Sequence, residues 1–363
     1  MSGAFAAASI LFLVYVSQCF GSAPPIAVLF LLNDRLKGRL LRRLWETAPG
    51  GRRIFLLHPL LPHVGALYAD RIPFIVRCDQ HGDVVSLQAH PAASDSPREF
   101  SFEETHEIAA TSKDVFVDDE KFVSLSSETA AQATAEFLDK LQQTRSENRL
   151  EALEKHFRQR FDPNALDERL ETYAKSSVYL QSACFALFFF IFLLAPVAVL
   201  ILGLHRTWFA LLLYFVLSAV AIVWLFVAAC RRIYPRKTRW PMQNMTTIAF
   251  SPFAAIRAND LLVADLVAGF HPLAVARRLL PEADFRQFAS DELRKSKFLY
   301  CDEFLLRFLN EFLTENRVDP DSLLAPPKKE DAASQAYCPV CLTQYVVAEG
   351  ACKDCNDSSL VRF

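Results

Sequence analysis

The sequence predicts an α+β membrane protein, in which a transmembrane helical hairpin is joined to a β-rich region, two helical regions and a small metal-binding tail. Three observations predict it. Two uncharged, mostly apolar runs, Val178 to Leu204 and Thr207 to Cys230, follow one another in mid-chain, and each is long enough to cross a hydrocarbon layer about 30 Å thick. Short β-prone pieces separated by turn residues precede them. Cys338-Pro-Val-Cys341 and Cys352-Lys-Asp-Cys355 lie near the end of the sequence, and pairs with this spacing can turn their thiolates toward one ion.

Residues 1–33 carry no charged side chain, and Pro24-Pro25 divides their apolar content into Phe5 to Phe20 and Ile26 to Leu32. A secretory signal normally begins with a basic region, whereas here Arg35, Lys37, Arg39, Arg42 and Arg43 come afterwards. The expectation is an additional N-terminal membrane helix with its start outside. An interfacial or re-entrant segment and a cleaved signal are the alternatives.

Residues 34–126 form the β-rich region. Arg53 to Leu57, Ile72 to Cys78, Val84 to Leu87, Phe100 to Phe102, Val115 to Val117 and Phe122 to Leu125 read as strands, with turns at Gln80 to Asp83 and Asp118 to Glu120. Over 127–177 the pattern becomes helical and amphipathic. Phe137, Leu138 and Leu141 form one apolar stripe, Leu150, Leu153, Phe157 and Phe161 a second, and the Asp162-Pro163 break starts a helix running toward the membrane.

The hairpin occupies 178–230, with His205 and Arg206 at the break between its spans. Arg231, Arg232, Arg236, Lys237 and Arg239 come immediately after it with no acidic residue among them, which places the region after the hairpin on the cytoplasmic side. A tight hairpin returns the chain to the side it left. The β region, the helices and the tail are therefore all expected in the cytoplasm of a multi-pass protein of the cell inner membrane or cytoplasmic membrane.

Residues 246–318 read as a second helical region, with a broad stripe of Phe298, Phe304, Leu305, Phe308, Leu309 and Phe312. Residues 319–335 read as a polar linker that lets the tail, 336–363, move separately. Hydrophobic residues make up 52% of the 363, and the net charge is −2. That balance gives no general case for nucleic-acid binding, and the basic clusters have anionic lipid head groups as sufficient partners.

The expected metal ligands are Cys338, Cys341, Cys352 and Cys355. A tail this short cannot hold itself together by apolar burial, and coordination supplies the missing folding energy. Four thiolates leave no open position for water, so the site gives no warrant for hydrolysis. Together with Tyr337 and Tyr345, these residues make the tail resemble the small four-cysteine zinc ribbons found as appendages in many bacterial proteins. The resemblance covers 336–363 and implies one structural Zn²⁺ ion, with two knuckles facing each other across short strands. Many such ribbons place Gly soon after a cysteine pair, where Leu342 and Asn356 stand here.

No glycine-rich nucleotide loop, zinc-protease helix or serine nucleophile elbow is present. The leading functional expectation is a membrane-anchored scaffold or adaptor that binds a protein partner through its helices and ribbon, with lipid as a second partner and homo-oligomerisation compatible with it. One alternative is a membrane-bound enzyme using His58, His63, His81, Asp83 and His106. The other is an oligomeric transporter component, although neither span carries an ionisable residue to mark a pathway.

Overall fold

The computed structural model of this chain describes residues 27–30, 55–57, 64–91, 98–104, 106–234, 258, 262–263, 265–355 and 357–363. The chain divides into two compact units, Met1–Ala69 with Asn164–Ala268 and Asp70–Pro163 with Gly269–Phe363. Each unit gathers two stretches that are far apart in sequence.

In the first unit, β1 (Ala27–Phe30), β2 (Phe55–Leu57) and β3 (Val64–Asp70) form a sheet in the order β1-β3-β2. The strand at 27–30 corrects the expectation of a membrane helix continuing to residue 33. Its backbone groups are used in sheet pairing, which a spanning helix satisfies internally instead. The remainder of 1–33 lies outside the described residues.

The second unit begins with two antiparallel meanders. β4 (Phe74–Cys78), β5 (Val84–Ala89) and β6 (Glu99–Ser101) form the first; β7 (Ile108–Thr111), β8 (Asp114–Val117) and β9 (Glu120–Ser124) form the second. The β4–β5 turn is local chemistry. The Asp79 carboxylate accepts the backbone N–H groups of His81 and Asp83 at 2.8 and 2.9 Å, and Gly82 takes φ +87°, which only glycine adopts without cost. Asp118 and Asp119, at φ 51° and 62°, make the two-residue mirror-image turn whose twist matches the flanking strands β8 and β9.

Two helices follow, α1 (Glu128–Gln143) and α2 (Ser146–Phe161). Ser127 caps α1 by accepting the Ala130 N–H at 3.2 Å. Ala131, Ala135, Leu138 and Leu141, spaced at three and four, are buried. On α2 the buried set is Leu153, Phe157, Arg160 and Phe161. The Phe74 ring lies 6.3 Å from Phe137, nearly parallel to it, so β4 and α1 share one core.

The chain then returns to the first unit as α3 (Pro163–Phe189), a five-residue π-helical turn at Phe190–Leu194, α4 (Ala195–Leu202) and α5 (Leu204–Ile233). No break separates the amphipathic approach from the apolar run. Pro196 falls in the first turn of α4, where the widened turn before it absorbs the missing N–H and the ring clash. Between α4 and α5, Gly203 takes φ +80°. The reversal therefore sits at Gly203, and His205 and Arg206 are helical residues of α5, a correction to the break expected at those two positions. Only glycine reaches this φ without strain.

One helix among the described residues, His205–Ile233, is long and apolar enough to cross a membrane. Near the reversal its apolar side chains face outward: Trp208, Phe209, Leu212, Leu213 and Leu217 are exposed, as are Leu200 and Ile201 of α4. Farther along, Ile222, Phe226, Ala229 and Cys230 are buried, as are Leu166, Tyr173 and Leu180 on α3. The Tyr234 hydroxyl donates to the Leu262 carbonyl at 2.7 Å.

The second unit is completed by α6 (Pro272–Leu279), α7 (Glu282–Arg294), a π-helical turn at Lys295–Leu299, α8 (Glu303–Glu315) and α9 (Pro320–Leu324). Asp302 caps α8 by accepting the Leu305 N–H at 2.9 Å. Of the expected stripe, Leu305, Phe308, Leu309 and Phe312 are buried on α8, Phe304 is half-buried there, and Phe298 lies apart from it in the preceding π-helical turn. Rings of Phe304 and Phe308 pack 4.9 and 5.2 Å from Phe157, joining α8 to α2. Buried polar contacts join the same two stretches of chain. Arg71 donates to both Glu292 oxygens at 2.8 and 2.6 Å, Arg160 donates to the carbonyls of Asp70 and Arg71, and the His271 N–H donates to the Arg160 carbonyl at 2.8 Å.

Candidate metal centre

The cysteine tail is built from five two-residue strands. β10 (Ala336–Tyr337) is the centre of a three-stranded sheet, with β11 (Gln344–Tyr345) and β14 (Val361–Arg362) antiparallel on its two sides; β12 (Ala351–Cys352) pairs with β13 (Ser358–Ser359). Strands this short bury too little to stand alone. Their role is to present two tight turns, each with a cysteine pair.

In the first turn the Leu342 N–H donates to the Cys338 carbonyl at 2.9 Å, and the Cys338 N–H donates to the Thr343 carbonyl at 2.9 Å. Leu342 takes φ 64°. The chain thus enters the left-handed region at the position where a ribbon usually has glycine, and a branched side chain there strains the turn. Asn356, at the matching place after the second pair, lies outside the described residues.

The sulfurs of Cys338, Cys341, Cys352 and Cys355 all lie within 4.8 Å of one another, and Cys341 Sγ is 3.8 Å from Cys352 Sγ. A tetrahedral ion with metal–sulfur distances of about 2.3 Å has sulfur–sulfur edges of about 3.8 Å. The Cys341–Cys352 edge matches such an ion, and the four sulfurs form a possible metal site. Cys338, Cys352 and Cys355 are buried and Cys341 is exposed.

Electrostatics points the same way. Burial raises the Cys341 thiol, but Thr343, through its hydroxyl 3.2 Å away and its backbone, outweighs this together with Cys338 and Cys355 and brings the thiol down to about 7. Burial and then the neighbouring Cys341 push Cys355 up. One thiolate forms readily and opposes the next, and a cation between them would ease the ionisation of all four. The Tyr345 hydroxyl donates to Cys352 Sγ at 3.2 Å, the kind of outer bond that orients a ligand.

The other candidates do not converge on a reaction centre. His58 and His63 lie outside the described residues. His81 and Asp83 sit on the exposed β4–β5 turn. Both ring nitrogens of His106 are engaged, Nδ1 with the Asp118 carboxylate at 2.5 Å and Nε2 with the Ser101 carbonyl at 2.9 Å, which makes it a clamp between the two meanders. Sequence reading missed this pair; Asp118 was visible as a turn residue, but its partner depends on how the meanders pack. It also missed the buried Arg71–Glu292 pair, whose members are 221 residues apart.

The chain matches no known protein family, no curated protein and no solved structure.

Proposed function

We propose that the chain is a membrane-anchored scaffold or adaptor, held by a helical hairpin and presenting helices and a structural zinc ribbon to a protein partner. The observation that carries the anchor is topological. The chain leaves the second unit at Pro163 and re-enters it at Gly269, and the intervening stretch contains His205–Ile233. If that helix crosses a bilayer once, both halves of the second unit end on one side only when the intervening stretch makes a second crossing. The π turn and α4 continue α3 to Leu202, giving the preceding arm a helical path. Arg231 and Arg232 in the last turn of α5 favour the cytoplasm for that side, and lipid head groups are their partners.

Zinc is the ion favoured for the four-cysteine cage, since a closed tetrahedral thiolate set suits it. A closed site supports a structural role and not a hydrolytic one. Exposed Val346 and Val347 lie on the ribbon, on the segment that leaves β11.

The test is to solubilise the full chain gently and ask whether a protein co-purifies at constant ratio. Retention of that protein through washing, and its loss from the Cys338→Ser/Cys355→Ser variant while the chain stays in the membrane, is the expected result. A partner-free chain that turns over a substrate would contradict the reading.

A further inference from the structure

The ribbon does not stand free of the helices. Its core, made of Cys338, Val340, Cys352 and Cys355, is completed by Phe298 and Leu299 from the π-helical turn after α7. Part of the expected linker, Pro320–Leu324, is the helix α9.

A buried polar group lies at this contact. Arg294, at the end of α7, is 2% exposed. Its Nη1 donates to the Pro339 carbonyl at 3.0 Å, and Pro339 lies between two of the cysteine ligands. Its Nη2 donates to the carbonyls of Leu323 and Ala325 at 2.9 and 2.6 Å, at the end of α9, and its Nε donates to Ser290 Oγ at 3.2 Å. Ser290 Oγ in turn donates to the Leu323 carbonyl at 2.8 Å. A buried guanidinium is thus satisfied by uncharged oxygens from three separate pieces of chain. Taking one of these acceptors away leaves part of a buried cation without a partner, which is costly.

We propose that Arg294 is a latch that couples occupancy of the metal cage to the packing of α7 and α9. The direction of the Pro339 carbonyl is set by the turn that the ion closes. With the ion bound, the carbonyl is fixed where Arg294 needs it; without the ion the turn loosens, Arg294 loses that acceptor, and the ribbon lifts from Phe298 and Leu299. Metal loss therefore exposes an apolar strip on the helices, so the ribbon covers a second surface as well as offering its own. This inference rests on the metal-binding reading of the four cysteines.

Hydrogen–deuterium exchange on the full chain in detergent, with metal content measured on the same samples, tests it. Removing the ion with a chelator is expected to speed exchange at least tenfold over 290–299 and 320–325 as well as 336–363, and to leave α1 unchanged. Arg294→Met is expected to speed exchange over 320–325 with the ion still bound and to weaken metal retention against a competing chelator, whereas Arg294→Lys restores part of both. Metal removal that changes 336–363 alone overturns the latch and leaves the metal site standing. A chain that neither holds nor takes up zinc overturns both. Should Arg294→Met fail to fold, the chelator experiment on the unaltered chain decides.

Discussion

His271 opens α6 by accepting the Leu273 N–H on its Nδ1 at 3.2 Å, so the proton sits on Nε2, which is buried with no hydrogen-bond partner. Burial, aided by Arg160 and Arg71 and opposed by Glu292, holds this imidazole near pKa 3; burial likewise holds His156 at about 3 and His90 at about 4. A histidine whose folded value lies below its unfolded value near 6.5 contributes stability that is present above 6.5 and is lost as pH falls toward the folded value. Asp302 acts oppositely. Burial raises it to about 6, so its contribution favours low pH and declines as pH rises from about 4 to 6. With three histidines against one aspartate, the second unit is expected to lose stability on acidification below about 6.5. His271→Asn keeps a capping acceptor and removes the titration, and should move the acid midpoint, followed by near-UV circular dichroism, roughly half a pH unit lower. No movement would show that His271 is not buried neutral in the folded protein.

The Arg71–Glu292 pair makes a different demand. Burial alone would raise the Glu292 carboxyl; the bidentate Arg71 guanidinium overrides this and holds it at about 2. Glu292→Gln leaves Arg71 charged and buried, and is expected to cost about 3–5 kcal/mol, with the Arg71→Met/Glu292→Met double variant recovering most of the loss. Denaturant titration of the unaltered chain and both variants checks this, and a double variant at least as destabilised as Glu292→Gln would argue against a direct pair. Neither residue announces itself in the sequence, since their meeting depends on the fold closing over 221 positions. The cysteines could be read because metal spacing is local.

At the scale of elements, apolar length was easy to read and its boundaries were not. The run from Val178 to Cys230 is helical apart from Gly203, but hydropathy cannot see that glycine, and not the charged pair after it, reverses the chain. β7 escaped because Ile108-Ala-Ala-Thr111 offers little β-prone surface, and its place is set by pairing with β8. The predicted strands β4, β5, β8 and β9 are flanked by turn residues with a mechanism, Asp79 between the first two and Asp118-Asp119 between the last two. Two changes probe the hairpin. A Cβ at residue 203 meets nothing within 4 Å, so Gly203→Val acts through backbone strain alone and should cost about 1–2 kcal/mol in detergent stability. Leu213→Arg, on the exposed apolar face of α5, adds about 2.5–3.5 kcal/mol to insertion if that face meets lipid. Alkaline extraction of membranes should then release more of the Arg variant, and equal retention would place that face elsewhere.

Across the whole molecule, the arrangement follows from one fact of connectivity: two stretches separated by the apolar helices fold as one unit. Charge bias in the sequence leads to the expectation that both stretches lie on one side; what the structure shows is that they touch, through buried contacts between residues 70–71 and 160 on one stretch and residues 271 and 292 on the other. The central claim of the proposed function is that the chain crosses the membrane an even number of times between these stretches. Cys78 and Cys301, one in each stretch, are both exposed, so they serve as natural reporters. A membrane-impermeant maleimide applied to sealed vesicles of one orientation, with sites assigned by peptide mapping, should modify both from the same side, and a His205→Cys thiol beside the reversal from the opposite side. Cys78 and Cys301 reacting from opposite sides, or residue 205 reacting from the same side as both, would contradict the account.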